Sequence, residues 1–461
     1  MKRWVVIILV CIIGAGLYLY HSKPWLPGLL IQQMSQKDPT SGKQPVDLIF
    51  VFVDHYEPHH IAAVERWEKM YPRLADRHRD ADGRKPQHTF FWYWEDEKGD
   101  VTVRNLLRLA KLTYAGYGEV ELHLHHDHDT TATVIENIQR RIKLSQMTGA
   151  FITAEAIPKT TYAFIHGMWA LDNSRGGKFC GVNNELEILR ETGCYADFTH
   201  SSWGTMNPVL TNTLYYAKDD PERPKSYDQG KEVQVGGKAW GDLLIFEGPS
   251  VISFAKGRLR YDHGDVTMRD LPTPERIDRW VRTAIHVKGR PEWIFVKVFT
   301  HGAIAHDHAA LLGKWAGKMY DTLEKKYNDG KRYRLHYATT REAYNILKAA
   351  EAGRSGNPND YRDFLIPPYA NEKIMATVPY QLVTYHPDHI ILVCRGDAEG
   401  RFHFKEGPVE EVSGKLSRVS VGFSANGDPQ VRLQGEGVAW VKIRGVSNPA
   451  RVDLMKEEAL Q

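Results

Sequence analysis

The sequence predicts an α/β protein of repeated strand–helix units arranged around a barrel, preceded by an N-terminal transmembrane helix and followed by a small all-β domain. Three observations point there. Apolar runs of strand length, each ending in a polar tip and followed by helical periodicity, recur from about residue 46 to residue 352. An uncharged run from Trp4 to Tyr20 stands at the amino end. Beyond residue 376 the helical period disappears, and short alternating runs between Gly, Asp and Asn turns replace it.

At the amino end, Lys2 and Arg3 precede an uncharged run of 17 residues, and His21, Lys23 and Pro24 follow it. Such a run sits at the short end of a membrane span, and its basic amino flank predicts a single-pass helix in the inner membrane with the body on the periplasmic side. No small-x-small site follows, and Leu9-Val10-Cys11 lacks the small residue that precedes a lipoprotein cysteine, so an uncleaved signal anchor over 4–20 is expected. Residues 21–45, rich in Pro, Gly, Ser and Gln, read as a linker. At 461 residues with 42% hydrophobic content, the chain can bury a large core across two or three domains. A net charge of +3 with no basic stripe argues against nucleic acid as a partner. Cysteine is sparse: Cys180 and Cys194 could pair outside a reducing compartment, and Cys394 within HIILVC reads as a buried thiol.

Order begins with DLIFVFV, a strand apolar on both faces, which ends at Asp54-His55-Tyr56-Glu57-Pro58. Ligand-type side chains at the carboxyl end of a buried strand lie where parallel α/β folds place their chemistry. A helix from Ile61 to about Arg77, a turn through DADGRKP, the strand HTFFWYW and a helix from Val101 to about Tyr114 come next. The strand TYAFIHG then delivers His166, followed by Asp172, the stretch Cys180 to Glu185, a short helix closed by Gly193, and a strand ending at Asp197. From His200 to about Pro272 the pattern is less regular, as expected of insertions around a site. A helix from Pro274, the apolar strand WIFVKVFT ending at His301-Gly302, a helix from Ala309 to Tyr327, the strand RLHYATT and a helix begun by the capping pair Thr339 and Glu342 complete the body. Residues 353–375 form a second linker, and 376–461 a β-sandwich-like domain.

The stretch Glu119 to Asp129, EVELHLHHDHD, holds four of the 21 histidines within six residues. On a strand, Glu121, His123 and His125 share one face, so His123 and His125 can converge on one ion. Asp127 or His128 is the expected third ligand; His126, on the opposite face, is set aside. Asp54, His55, His123, His125, Asp127, His128, Asp172, Asp197 and His301 thus form one set of polar tips. A divalent metal, zinc being the expected ion, would polarise an acyl oxygen there; Asp54, Asp172, Asp197 and His301 are the candidates for moving protons.

The region from about Val46 to Ala352 resembles the metal-dependent polysaccharide deacetylases. LIFVFV ending in Asp54-His55 is similar to that family's first motif, Glu119-Val120-Glu121-Leu122-His123 to its second, and WIFVKVFTHG with His301 to its last. The third-motif position is occupied by WALDNS and CGVNNEL. The resemblance implies an incomplete (β/α) barrel, Asp54 as base or ligand, His123 as a metal ligand, His301 as the acid, and hydrolysis of N- or O-acetyl groups on a surface or exported glycan, in the company of polysaccharide biosynthesis or export machinery. A glycoside hydrolase using two of Glu57, Asp172, Glu185 and Asp197 is one alternative. A sugar-binding scaffold without chemistry is another.

Overall fold

The computed structural model describes residues 21–369 except 37, 43–44, 95–98, 147, 149, 152, 154–159 and 256, and, further on, the strands of another sheet between 381 and 456. Helix α1 (Leu26–Ser35) comes first. β1 (Val46–Tyr56), α2 (Ile61–Ala75), β2 (His88–Tyr93), α3 (Gly99–Tyr114), β3 (Gly118–Leu124), α4 (Thr131–Ser145), β4 (Tyr162–His166), α5 (Glu185–Glu191) and β5 (Cys194–Asp197) then alternate. A less regular part holds β6 (Leu214–Ala217), β7 (Gly230–Glu232), β8 (Leu243–Phe246), β9 (Val251–Ala255) and β10 (Arg258–Asp262). The body ends with α6 (Pro274–Arg282), β11 (Trp293–Thr300), α7 (Lys314–Tyr327), β12 (Tyr333–Ala338) and α8 (Thr340–Glu351), whose first turn is closed by the Thr339 and Glu342 capping box.

The body is mixed α/β, built on a ten-stranded, mostly parallel sheet in the order β11-β1-β2-β3-β4-β5-β8-β6-β7, with β12 also on β1. β1 is its axis: it pairs in parallel with β11 over residues 47–54, with β12 over 46–51 and with β2 over 53–56. A strand flanked on both edges and both faces is apolar along its middle, here Leu48 to Val53, and every residue of β1 is buried. Side-chain alternation sorts the core in two. Leu48, Phe50 and Phe52 join Val120, Leu122 and Leu124 in an outer core under α2, α3, α4 and α7. Ile49, Val51 and Val53 join Phe91, Ile165, Phe295 and Phe299 in an inner core that α8 also enters with Ile346 and Leu347. Phe246 of β8 and Phe295 of β11 meet edge to face at 5.5 Å, so the sheet curls until these two strands touch although no strand pairing joins them.

Two expectations are corrected. Among the described residues no helix is long and apolar enough to cross a membrane, so neither the transmembrane helix nor the single-pass inner-membrane placement is retained. The run 4–20 itself lies outside the described residues. The segment read as a linker also contains α1, which is docked on the body: Trp25 and Leu29 are buried, and Trp25 Nε1 donates to Gly204 O at 2.7 Å. Beyond residue 380, β13 (Gln381–Tyr385), β14 (His389–Gly396), β15 (Gly400–Phe402), β16 (Val409–Phe423), β17 (Pro429–Arg444) and β18 (Asp453–Lys456) form one six-stranded sheet, antiparallel except for the β17–β18 pair.

Candidate metal centres at the carboxyl edge of the sheet

The parity of β1 decides what its tip offers. Ile49, Val51 and Val53 face the inner core, so His55 and Glu57 continue inward while Asp54 turns outward. Asp54 is fully buried behind the site, with Oδ2 2.8 Å from His88 Nε2 and Oδ1 accepting the Gly302 N–H at 2.6 Å. It ties the turn after His301 to β1 and reaches no other site residue expected from the sequence.

On β3, Glu119, Glu121 and His123 face inward, and His125 follows just past the strand end. Glu121 is spent on structure, accepting from Ala163 N–H at 2.6 Å, Tyr195 OH at 2.7 Å and Tyr369 OH at 2.8 Å. Burial, followed by the Glu119 charge, pushes its carboxyl well up. Above it, His123 Nε2 and His125 Nε2 lie 3.0 Å apart, each 3.2 Å from Glu57 Oε1. His123 Nδ1 is 2.9 Å from Ile165 O. A carbonyl only accepts, so Nδ1 carries a proton, and Nε2 faces Glu57, donating to it when protonated and presenting a lone pair when the ring is neutral. Such an outer hydrogen bond is what orients a metal-ligating imidazole. Burial would raise the Glu57 carboxyl, but hydrogen bonds from the two imidazoles override it and hold the group well below the usual range.

His55 stacks on His301 at 4.7 Å between ring centroids and meets the His123 edge at 5.0 Å. Burial, then the neighbouring imidazoles, hold His55 well below the ordinary histidine value; burial also lowers His301, with Glu57 and Asp54 opposing it. Trp169 covers both rings, 5.7 Å from His55 and 5.9 Å from His301. A cavity of about 360 Å³ opens beside them, lined among others by His55, Glu57, His60, Arg66, His301 and His308.

The other expected site residues are not brought to this group. Asp127 accepts the Phe179 N–H at 2.6 Å, and the His128 side chain is 80% exposed. Asp172 accepts the Ser226 N–H at 2.6 Å, and burial, with Asp219 nearby, pushes it up to about 8. Asp197 accepts from Thr199 Oγ1 at 2.6 Å and from Thr199 N–H at 3.1 Å; burial pushes it up to about 7.

A second group gathers on the far side of the β3 tip: His126, His166, Cys180 and Glu185. A third, His78 with Asp321 and Glu324, sits on the outer helices. Each of these groups, and the group of Glu57, His123 and His125, could hold a metal ion. Cys180 and Cys194 are both free and buried, so the disulfide between them does not form. Glu57 as a ligand, and the whole second group, escaped the sequence reading. The signal for Glu57 was available, since it continues the inward series Ile49, Val51, Val53, His55. Cys180 is carried by a loop whose path no local pattern announces, and Glu185 opens the helix that this loop leads into.

The chain matches no family model, no curated protein and no solved structure.

Proposed function

We propose that this protein is a metal-dependent hydrolase that removes N- or O-acetyl groups from a polysaccharide, with zinc held by Glu57, His123 and His125. The observation carrying the proposal is the convergence of three lone-pair-bearing atoms beside a cavity that has His301 in its wall. The resemblance of EVELH and WIFVKVFTHG to deacetylase motifs supports the choice of reaction. A divalent ion bound there would supply Lewis acidity toward an acyl oxygen and a nearby water. Three protein ligands leave a position open on the cavity side, the arrangement of catalytic rather than structural sites. His301, at the tip of β11 in the wall, is the residue we assign to carry a proton between water and leaving group. His55 stacks on it, and the Gly302 turn fixes its backbone through Asp54. Asp54, turned to the outer core, takes no part in proton transfer. Tyr93 packs on the His125 ring at 4.9 Å and limits its swing.

Acetate release from an acetylated oligosaccharide tests this reading. His123→Ala is expected to lose both the ion and activity. His301→Ala is expected to keep the ion and lose about 100-fold or more in kcat. Shortened oligosaccharides without acetate would replace deacetylation with glycoside cleavage. Sugar binding with neither product would replace catalysis with recognition.

A further inference from the structure

We propose that His126, His166, Cys180 and Glu185 form a second, closed, four-coordinate site for a thiophilic divalent cation of the zinc class, and that this ion fastens the 167–184 loop to the sheet as a structural staple.

The four residues come from four places: His126 follows β3, His166 ends β4, Cys180 lies in the loop and Glu185 opens α5. Their ligand atoms all lie within 4.8 Å of one another. His126 Nε2 is 2.9 Å from His166 Nε2 and 3.0 Å from Glu185 Oε1, and His166 Nε2 is 3.3 Å from the same oxygen. Cys180 Sγ is 3.6 Å from Glu185 Oε2. Zinc bonds of about 2.0 Å to nitrogen or oxygen and 2.3 Å to sulfur put tetrahedral ligands about 3.3–3.8 Å apart. A small inward or outward adjustment of these side chains therefore suffices.

The ring nitrogens pointing away from the centre are both committed. His126 Nδ1 is 3.0 Å from Asp129 Oδ2, and His166 Nδ1 is 2.6 Å from Gly167 O. Carboxylate and carbonyl both accept, so each Nδ1 carries its proton, and each ring in its neutral form turns a lone pair inward. Two lone pairs and a carboxylate oxygen then face one another where Glu185 and His166 have no solvent exposure at all. Like-signed atoms in that position need a positive charge between them. One shared proton could bridge two of the three atoms; a cation satisfies all of them and takes Cys180 as well. One carboxylate and one imidazole pair with outer partners resemble a zinc shell more than a hydrogen-bonded core.

Four protein ligands without an open position mark a structural site, against the three-ligand, cavity-facing group of Glu57, His123 and His125. The loop it would fasten needs fastening. Met168, Trp169, Asp172, Asn173 and Phe179 all have positive φ, with values of 56°, 53°, 51°, 55° and 63°. Left-handed backbone at non-glycine residues persists only where the surroundings impose it. The same loop lays Trp169 over His55 and His301, so the closed site would hold a wall of the open one.

Cobalt(II) substitution of the full-length protein tests the proposal. The expected result is a thiolate-to-cobalt charge-transfer band that survives His123→Ala and disappears, with one equivalent of cobalt, in Cys180→Ser. Should Cys180→Ser not fold, the wild-type chain decides. Alkylation of native protein followed by peptide mass analysis is expected to modify Cys180 at least about tenfold faster after chelation. Bound cobalt without the band, a band indifferent to Cys180→Ser, or Cys180 alkylation indifferent to chelation overturns it. Because the band reports only the thiolate site, absence of acetate release with the band present removes the hydrolase reading alone.

Discussion

Asp54 is the residue where motif and geometry part, and its substitution separates them. It is fully buried, and its carboxylate takes two hydrogen bonds, from the Gly302 N–H at 2.6 Å and with His88 Nε2 at 2.8 Å. Hydrogen bonds to a charged partner contribute roughly 1.5–3 kcal/mol and neutral ones roughly 0.5–1.5 kcal/mol. Asn can keep both, its oxygen accepting from Gly302 and its amide donating to the His88 ring, so Asp54→Asn is expected to lose roughly 1–3 kcal/mol. Asp54→Ala strands a buried N–H and a buried imidazole at once and is expected to lose about 3–5 kcal/mol. Urea denaturation read from the midpoint and slope gives both values. Metal content measured alongside is expected to be unchanged in Asp54→Asn, since the Glu57, His123 and His125 atoms have no contact with it. An Asn variant of wild-type stability that has lost its metal would refute this placement and return Asp54 to the ligand set.

Two further predictions concern what surrounds the site. A Cβ added at Gly302 would lie 2.0 Å from Asp54 Oδ2 and 2.8 Å from Trp67 Cζ2. Neither neighbour is free to retreat, Trp67 being tied to Gly302 O at 2.7 Å, so Gly302→Ala is expected to cost about 2 kcal/mol or more in urea denaturation and to slow acetate release with the metal retained. His336 supplies a pH dependence remote from the metal groups. Burial acts to lower its pKa, but hydrogen bonds to Asp47 at 2.8 Å and Asp82 at 2.7 Å override that and raise it. A raised folded-state value means stability that is fully present below the unfolded value of about 6.5 and is lost as pH rises through the higher folded value. The stability difference between wild type and His336→Gln is therefore expected to be larger near pH 6 than near pH 9; a difference that grows with pH would contradict the assignment.

The elements that sequence made legible are those with a strong period. DLIFVFV and WIFVKVFT became β1 and β11 because strands covered on every side are apolar at nearly every position, Asp47 and Lys297 being the charged exceptions. The alternation of EVELH became the division between the inward Glu119, Glu121 and His123 and the outward Val120, Leu122 and Leu124. Helix α1 was hidden because Pro24, Pro27 and Gly28 read as linker punctuation, while its docking depends on Trp25 and Leu29 meeting a distant surface. The site was legible in part. The His-rich stretch supplied two members of one group, but Glu57 was passed over for Asp54 because the parity of β1 was not carried through its tip. His126 was set aside for facing the wrong way, a valid inference about one centre that left no room for another. Its partners His166 and Glu185 lie 40 and 59 residues along the chain, and only the order of β3, β4 and α5 brings them together.

That order also explains how one strand end serves two groups. Past Leu124 the chain still alternates, so His125 turns to Glu57 and His126 turns to Glu185. Gly167 lies between them, its carbonyl 2.6 Å from His166 Nδ1. A Cβ at residue 167 would stand 2.4 Å from the His125 ring, which is why glycine is needed there for contact rather than for backbone freedom. The two groups are thus mechanically joined through a single residue. A shift of the loop that carries Cys180 would move Gly167, and with it the imidazole of the open group. A cavity whose wall is a strained loop gains from fixing that loop at a dry point close behind the open group, and an ion held by His126, His166, Cys180 and Glu185 would do so.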